Sequence, residues 1–439
     1  MSRGVGTWRN WAGNQRTSPV RTVLAGSTAE VAEAVASAAA EGLRVSALGS
    51  GHSFSGIGVP EGVGIRPPTG PGVVVDGALA TVPAGMTLRR LNALLWELGR
   101  ALPNLGDIDA QTISGAIATG THGTGAAYQG IAAQVRGFEM VLADGSVVQA
   151  DGDLLRLGRI GLGALGVVTA VTVETVPAFR LHAHESVVPL AEALELAALP
   201  ADHAEFYWFP HTEVAVLKRN DRRALGCHDG SAEPENDRDG SIRRFGQDEV
   251  LGNLGFAAVC ALGDRVPALV PRLNRLVSRL MPGGEYVDRS YRVFCSPRRV
   301  RFLEMEYAVP RAALGEAFAG LRAAAQRHAR AVTVPVEVRV TAADDVPLSM
   351  AYGRDSAYLA VHVHAGQPHE AYFAAVEQVM AGLEGRPHWG KLHTRTGPEL
   401  RRLHPALAEF AALRDRLDPG GRFRSAHRDR LLAGDGRLR

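Results

Sequence analysis

Apolar and polar positions in the first third of the chain alternate between strand spacing and helix spacing. The segment from Ser27 to Glu30 resembles a capping box, and the alanine-rich run after it stops at Gly42, which predicts a helix that leads into a strand over 44–48. Further apolar runs predict two strands and a second helix, at 72–75, 81–82 and 87–98. The chain therefore begins with a βα alternation.

A hairpin and a long alternating strand end this first region. The apolar runs 135–142 and 146–150 flank a short turn and form a hairpin pattern. Residues 165–176 then alternate apolar with polar side chains until Pro177. Because this proline stops the strand and the composition changes after it, we predict a domain boundary near 178.

The rest of the sequence predicts a second domain and a short C-terminal tail that packs back on the first domain. Mixed strands and helices fill 179–395, which indicates an α+β domain with a sheet layered by helices, and the tail 396–439 is too short for a domain of its own. Within these segments we predict helices at 265–280, 311–329 and 398–417, strands at 333–341 and 357–364, and a polar surface loop or lid at 218–249.

Length and composition restrict the class of protein. With 439 residues, 46% hydrophobic and 21% charged, the chain fits two domains, and a net charge of +2 favours a small molecule over nucleic acid as partner. The start lacks the apolar core of a signal peptide, and no stretch is long and apolar enough for a transmembrane segment, so we expect a cytoplasmic protein. The three cysteines show no ligand spacing, which argues against disulfides and structural zinc.

Two glycine-rich loops are the strongest chemical signal, and they span 49–54 and 112–123. Glycine lets backbone N–H groups converge on anionic oxygens, and serine and threonine hydroxyls supply further donors. The first loop lacks the Lys-Ser/Thr end of a P-loop and the spacing of a Rossmann fingerprint, so neither ATP nor NAD is indicated. Together the loops predict a cradle for the pyrophosphate of a flavin nucleotide.

Polar residues line one face of each of two predicted strands. Strict alternation puts Glu337, Arg339 and Thr341 on one face of the first strand, opposite three valines, and puts His362 and His364 on one face of the second. If the strands are neighbours, these side chains share a surface. That surface is either a solvated sheet face or a site, and two histidines with a Glu–Arg pair are more typical of a site.

Other interpretations of these residues remain open. The segment 388–393 places Lys391 and two histidines around a tryptophan, as a surface loop or as part of the same site. Imidazole and carboxylate groups suit zinc or iron, so His362, His364 and Glu337 could together bind a metal ion. A metal-dependent hydrolase is therefore a remote alternative function. We assign no metal, because the glycine loops would then lack a purpose. A non-catalytic sugar-binding protein is the third alternative.

Six motifs stand in the order of one flavoprotein family, nearly from end to end. They are residues 10–14, the two glycine loops, the glycine-rich segment 162–168, Glu337-Val338-Arg339 and His388-Trp389-Gly390-Lys391. The chain resembles the aldonolactone and alditol oxidoreductases of the vanillyl-alcohol-oxidase type. The resemblance is closest to the bacterial members that act on L-gulono-1,4-lactone and D-arabinono-1,4-lactone.

The resemblance implies an α+β, two-domain FAD-binding fold of the PCMH type. In that fold FAD is held by 1–178 and the tail 396–439, and 179–395 forms an α+β substrate cap. His52 matches the histidine that many members join covalently to the flavin, while other members bind FAD without that bond. The positions that match FAD contacts of the family are Ala47, Leu48, Gly49, Ser50, Gly51, His52, Ser53, Gly106, Thr112, Ser114, Gly115, Thr119, Gly120, Thr121, His122 and Val168.

Four residues, Glu337, Arg339, His362 and Lys391, match the substrate side of the flavin ring in the family. The implied reaction moves a hydride from a CH–OH group of a sugar 1,4-lactone to flavin N5 while the hydroxyl loses its proton. We expect His362 or Glu337 to accept that proton, and Arg339 and Lys391 to supply positive charge near the reacting oxygen and the flavin. O2 or another small electron acceptor would reoxidise the flavin.

Departures from the family pattern bear on the substrate. Asp107 stands where the family often has serine and His364 where the alditol oxidases have threonine, so both are candidate substrate-binding residues. They favour, as an alternative, an alditol, another polyol or a cyclitol as substrate. Gly106 matches a position where a small residue leaves oxygen a path to the flavin, which favours an oxidase.

Overall fold

Two sheets of different construction form the N-terminal region of the computed structural model, which describes residues 3–4, 6–195, 199, 201–226, 255–281, 283–296, 298–328 and 332–434. The strands of this region are β1 (Arg3–Gly4), β2 (Trp8–Arg9), β3 (Arg16–Thr17), β4 (Arg21–Leu24), β5 (Val45–Ala47), β6 (Val63–Arg66), β7 (Val74–Asp76), β8 (Leu79–Pro83), β9 (Arg100–Ala101), β10 (Val135–Val141), β11 (Val147–Gln149), β12 (Val167–Glu174) and β13 (Val176–Pro177). Its helices are α1 (Thr28–Ala40), α2 (Leu88–Glu97), α3 (Ile113–Thr119) and α4 (Gly152–Gly158).

The smaller sheet has the order β1-β4-β6-β5, and its last three strands run parallel. The larger has the order β11-β10-β12-β8-β7 and is antiparallel throughout. The predicted hairpin is therefore β10–β11. The predicted first helix is α1, because the Ser27 side chain accepts a hydrogen bond from the Glu30 N–H and Gly42 adopts a left-handed φ of 68° just beyond its end.

One antiparallel sheet of eight strands, which we call the cap sheet, dominates the rest of the chain. Its strands are β14 (Phe179–Pro189), β15 (His203–Trp208), β16 (Val214–Ala224), β17 (Gly284–Arg289), β18 (Phe302–Pro310), β19 (Val336–Thr341), β20 (Ser356–His364) and β21 (Arg386–Pro387). Their order is β17-β14-β16-β15-β19-β20-β18-β21. The helices from here onward are α5 (Leu190–Leu194), α6 (Gly255–Arg265), α7 (Val270–Leu280), α8 (Ser290–Phe294), α9 (Leu314–His328), α10 (Glu370–Ala381), α11 (Gly397–Leu403), α12 (Leu407–Leu417) and α13 (Ala426–Leu432).

Both faces of the central cap strands are buried. Val336, Val338 and Val340 belong to an apolar core shared with residues of α9 and α10. The opposite face carries Glu337 and Arg339, which are each only 6% exposed. This polar face is therefore not a solvated sheet surface, and every group on it needs a partner within the protein.

The C-terminal tail packs back on the N-terminal region. The Val45 N–H donates to the Arg422 carbonyl at 2.8 Å, so the tail is joined to the parallel sheet. Arg428 on α13 is fully buried, and its guanidinium donates to the carbonyls of Leu162, Phe423 and Ile57 at 2.8 to 3.1 Å.

The α+β class is confirmed, and four local predictions need correction. The second glycine-rich segment, 112–123, is not a loop throughout, because Ile113–Thr119 form α3. The helix predicted over 265–280 is wrong at its start, because Pro267 interrupts the pattern and separates α6 from α7. The helix predicted over 398–417 is likewise two helices, since Pro405 lies between α11 and α12. The predicted loop 218–249 begins inside strand β16, and its residues 227–249 lie outside the described residues. Among the described residues no helix has the length and apolar character to cross a membrane.

Candidate active site

A pocket lies between the two glycine loops. Twelve of the residues predicted to contact the cofactor line it: Ala47, Leu48, Gly49, Ser50, Gly51, His52, Ser53, Thr112, Ser114, Gly115, Thr119 and Val168. The remaining predicted positions, Gly106, Gly120, Thr121 and His122, are not among its lining residues. The two loops are thus brought to one cavity, as their composition predicts.

Glycine is required where these loops meet. A Cβ atom on Gly49 would lie 2.8 Å from Thr112 Oγ1, and one on Gly115 would lie 2.9 Å from the same atom. Thr112 cannot easily move away, because its hydroxyl caps α3 by accepting a hydrogen bond from the Gly115 N–H. Bare backbone therefore faces the cavity at both positions.

His52 presents an open ring nitrogen in this pocket. Its Nδ1 is buried and has no hydrogen-bond partner among the described residues, and the ring stacks on Trp11 with centroids 5.8 Å apart. Burial and the positive charge of Lys391 lower the pKa of His52. The ring is therefore a neutral imidazole at neutral pH, with one nitrogen available to another group.

Glu337 and Arg339 form the centre of a buried charge cluster. Arg339 contacts Glu337 and also donates through Nε to Glu205 Oε2 at 2.8 Å. The Tyr207 hydroxyl lies 2.9 Å from Glu337 Oε1 and 3.1 Å from Glu205 Oε1. Adjacent strands explain this arrangement, since Tyr207 is paired with Glu337 and Glu205 with Arg339 in the β15–β19 ladder.

Asp107 reaches the same cluster from the N-terminal region. Its Oδ2 lies 2.6 Å from Arg298 Nη2 and 3.8 Å from Arg339 Nη2. Burial alone would raise the pKa of Asp107, but the two guanidinium groups lower it far below its usual range. Asp107 is therefore a fixed anion.

Glu337 has the opposite tendency. Burial raises the pKa of its carboxyl to about 7, with further contributions from the negative charges of Asp107 and Glu205, although Arg339 opposes the shift. This puts the change of charge of Glu337 near neutral pH, where a general base is most useful.

A second buried cluster joins Lys391 to His362 through Glu304. Lys391 Nζ lies 2.5 Å from Glu304 Oε2, and His362 Nε2 lies 3.6 Å from Glu304 Oε1. The other ring nitrogen of His362 lies 2.8 Å from the Pro335 carbonyl, which fixes it as a donor. Although burial lowers the pKa values of His362 and Lys391, Glu304 raises both above their usual values.

His122 belongs to a third buried cluster. Its Nε2 lies 3.1 Å from Glu306 Oε1, and candidate ligand atoms of His122, Glu306 and His388 all lie within 4.8 Å of one another. Of the described residues, this is the group whose donor atoms could hold a metal ion. The metal ligands considered in the sequence do not converge, because His364 Nδ1 pairs with Asp264 Oδ2 at 2.7 Å and Glu337 pairs with Arg339.

Comparison with known protein families identifies the family to which the chain belongs. Residues 171–431 match the D-arabinono-1,4-lactone oxidase family, and residues 19–151 match an FAD binding domain. The chain belongs to the D-arabinono-1,4-lactone oxidase family. This family assignment makes the protein an FAD-dependent oxidoreductase and confirms the resemblance stated above.

Curated relatives match nearly the whole chain. The L-gulono-1,4-lactone dehydrogenase of Mycobacterium tuberculosis is 42% identical over 433 residues, which cover 97% of this chain and 99% of the relative. The alditol oxidase of a Streptomyces species is 32% identical over 97% of this chain and 99% of the relative. The L-gulonolactone oxidase of Bos taurus is 30% identical over 97% of this chain and 98% of the relative.

A solved cholesterol oxidase from B. sterolicum has the same fold. It superposes with a TM-score of 0.82 at 16% sequence identity and covers 98% of this chain and 97% of its own. At that identity the likeness concerns the fold alone.

The residues of this D-arabinono-1,4-lactone oxidase family member fit FAD. The glycine loops offer bare backbone and hydroxyl donors to a pyrophosphate, and His52 Nδ1 is a buried nitrogen that lacks a partner among the described residues. The lining also includes Gly161, Gly163 and Arg428, so the C-terminal tail contributes a guanidinium group to the cavity.

Several residues of the site were missed by the sequence analysis: Glu205, Tyr207, Arg298, Glu304, Glu306 and Arg428. Two of the strands, β15 and β18, carry the alternation of polar with apolar residues that predicted β19. Glu205 and Tyr207 alternate with apolar residues in β15, and Glu304 and Glu306 do so in β18. Alternation of these hydrogen-bonding residues with apolar residues could have found these four. The other two occupy irregular or terminal segments, where no such pattern exists.

Proposed function

We propose that this protein oxidises a CH–OH group of a sugar 1,4-lactone of the L-gulono or D-arabinono type. The observation that carries the proposal is the buried polar face of the cap sheet, which bears the Glu337–Arg339 pair. Lys391 joins this face, through Glu304, to the glycine loop that holds His52. Relatives named for L-gulono-1,4-lactone and the family named for D-arabinono-1,4-lactone support this substrate class. When bound, FAD accepts the hydride, and O2 or another small acceptor reoxidises it.

We assign Glu337 as the base that accepts the proton of the reacting hydroxyl. Its carboxyl has a pKa of about 7, so it is available as a base at neutral pH. His362 is the weaker candidate, because its Nδ1 donates to the Pro335 carbonyl and its Nε2 faces the Glu304 carboxylate, an arrangement that suits a protonated ring. Arg339 and Lys391 then provide the positive charge near the reacting oxygen.

We also assign His52 as the covalent tether of the flavin. The support is its unpartnered, buried Nδ1 and its neutral ring, which together leave a nucleophilic nitrogen in the cavity. The sixteen predicted FAD contacts, including the four that do not line the pocket, stay a proposal. A cytoplasmic location and the lack of a nucleic acid partner stay predictions of the sequence.

A second substrate class has specific support. Asp107 is held as an anion by Arg298 and can accept hydrogen bonds from substrate hydroxyls, and the alditol oxidase relative is 32% identical over nearly the full length. An alditol, another polyol or a cyclitol is therefore the alternative substrate.

A panel of substrates under anaerobic conditions tests both assignments. The protein is mixed with L-gulono-1,4-lactone, D-arabinono-1,4-lactone, alditols or cyclitols, and the loss of flavin absorbance is followed in time. Fast bleaching by a lactone supports the first assignment, and bleaching by polyols alone replaces it with the second. Admission of O2 or of a dye then separates an oxidase from a dehydrogenase. A flavin that no alcohol bleaches would refute both.

A further inference from the structure

Charged side chains form a row across four neighbouring strands of the cap sheet. Arg339 on β19 is paired with Glu205 on β15, Glu205 with Lys218 on β16, and Lys218 with Glu185 on β14. The side chains are 7% exposed at Arg339, 8% at Glu205, 15% at Lys218 and 30% at Glu185. Charge alternates along this row, so Glu205 has a cation on each side of it.

These two cations keep Glu205 ionised. Burial would raise the pKa of Glu205, but Arg339 and Lys218 lower it below its usual value. The contact to Arg339 is direct, with Nε 2.8 Å from Glu205 Oε2. An ionised carboxylate can only accept hydrogen bonds.

The Tyr207 hydroxyl lies between this anion and Glu337. It is within hydrogen-bond distance of both carboxyls, at 3.1 Å from Glu205 Oε1 and 2.9 Å from Glu337 Oε1. A phenol has one proton to donate, and burial together with the two carboxylates keeps the pKa of Tyr207 well above its usual value. When Tyr207 donates to the ionised Glu205, its oxygen faces Glu337 with a lone pair. That contact is a hydrogen bond only if Glu337 carries a proton.

The charges around Glu337 also favour its protonated form. The groups that face it are Arg339 on its own strand, Glu205 and Tyr207 on β15, Asp107 from the N-terminal region, Arg298 ahead of β18 and His362 on β20. Glu337, Glu205 and Asp107 present three carboxyls to the two guanidinium groups. One added proton therefore makes this cluster of carboxyls and guanidinium groups neutral.

We propose that Glu205 and Tyr207 are positioning residues that direct the proton of the oxidised hydroxyl to Glu337. This inference rests on the proposed function. With FAD bound, the substrate C–H bond would break and its hydrogen would leave together with the electron pair of that bond, as a hydride that FAD accepts. The O–H bond breaks and its proton goes to the Glu337 carboxylate, while the C=O bond forms. Tyr207 already donates to Glu205, so it accepts a hydrogen bond from the newly protonated Glu337.

Two variants test the proposal through a pH titration. In Glu205→Gln the anion is lost and Tyr207 is free to donate to Glu337, so the midpoint of anaerobic flavin reduction against pH moves down by about one unit. In Tyr207→Phe the acceptor for the Glu337 proton is lost, so the midpoint moves in the same direction by less. Infrared spectra in the protonated-carboxyl region, recorded against pH without substrate, show the same two shifts.

Tyr307→Phe is the matched control. Tyr307 is a fully buried tyrosine whose hydroxyl donates to the buried carboxylate of Glu377, a pair separate from the charge cluster. Its loss leaves both midpoints where they are in the parent protein.

The outcomes are separable. Midpoints that do not move, or that move upward, in Glu205→Gln and Tyr207→Phe would overturn the proposal, even if both variants are slow at every pH. FAD absorbance and far-ultraviolet circular dichroism identify a variant that fails to fold, and the other variant then decides. If no alcohol reduces the flavin, the proposed function fails, while the infrared titration still decides whether Glu205 and Tyr207 control Glu337.

Discussion

Lys391 Nζ lies 2.5 Å from Glu304 Oε2, and the same ammonium lies 5.2 Å from the centre of the Phe54 ring. Lys391 thus touches both the polar face of the cap sheet and the first glycine loop. Backbone bonds fix this contact, because the Phe54 N–H donates to the Gly390 carbonyl at 2.7 Å. Lys391 is one of only two lysines in the sequence, and the other, Lys218, lies in the charge row of the same sheet.

Replacement of this lysine tests its proposed part in the reaction. We expect Lys391→Met to slow anaerobic flavin reduction by about 100-fold or more, because a fixed positive charge near the reacting oxygen is lost. The dissociation constant of FAD should change little, and Lys391→Arg should restore part of the rate. Stopped-flow reduction measures the rate, and a fluorescence titration with FAD in the His52→Ala background, where no covalent bond to the flavin forms, measures the dissociation constant. Equal losses in both would contradict the assignment.

Asp107 should control the pH at which the enzyme becomes active. Its negative charge raises the pKa of Glu337, so Asp107→Ser should lower that pKa from about 7 by about one unit. Flavin reduction, which needs ionised Glu337, then reaches its plateau at lower pH. The pH profile of the reduction rate measures the shift. Asp109→Ser, whose carboxylate pairs with Arg89, is the control and should leave the profile nearly unchanged.

Acid precipitation tests the tether. If His52 binds the flavin covalently, the yellow colour stays with the precipitated polypeptide, and in His52→Ala it moves to the supernatant while the native variant still binds FAD. His182→Ala, on β14 and outside the pocket lining, should behave like the parent protein. A yellow supernatant from the parent protein would mean that FAD is bound without the bond.

The contact between the glycine loops should tolerate no side chain. In Gly49→Ala the new Cβ would lie 2.8 Å from Thr112 Oγ1, so the loops must move apart at a cost of about 1–3 kcal/mol in FAD binding. Gly137→Ala is the control, because its Cβ would meet its nearest neighbour at 3.7 Å. Isothermal titration of the apoprotein with FAD compares the two variants in the His52→Ala background, where no covalent bond to the flavin forms. Equal affinities would contradict the crowded geometry.

Arg428 should be needed for the stability of the fold. Arg428→Met removes the donors to three buried carbonyls, of Leu162, Phe423 and Ile57, so we expect a loss of about 3 kcal/mol or more in the free energy of unfolding. Arg424→Met should cost less than about 1 kcal/mol, since its pair with Asp429 is half exposed. Urea unfolding of the two variants measures the difference, and similar midpoints would disprove a structural role for Arg428.

Local patterns predicted several elements of the fold. The capping box and Gly42 predicted α1, and the Asp-Gly turn between apolar runs predicted the β10–β11 hairpin, because these signals act within a few residues. The pattern failed at 265–280 and 398–417, where a single proline outweighed a continuing helical spacing.

What the sequence by itself determined is the chemistry available: two glycine loops, a histidine in the first of them, and acidic and basic residues on alternating strands. Residue type and local spacing suffice for this, because they fix which groups share a loop or a face. Only the tertiary structure decided which groups meet. Three features depend on contacts between segments up to 191 residues apart: the burial of the sheet face that carries Glu337, the hydrogen bond of His122 with Glu306, and the pairing of Asp107 with Arg298. Such contacts leave no local pattern in the sequence. The low dielectric that they create raises the pKa of the Glu337 carboxyl to about 7.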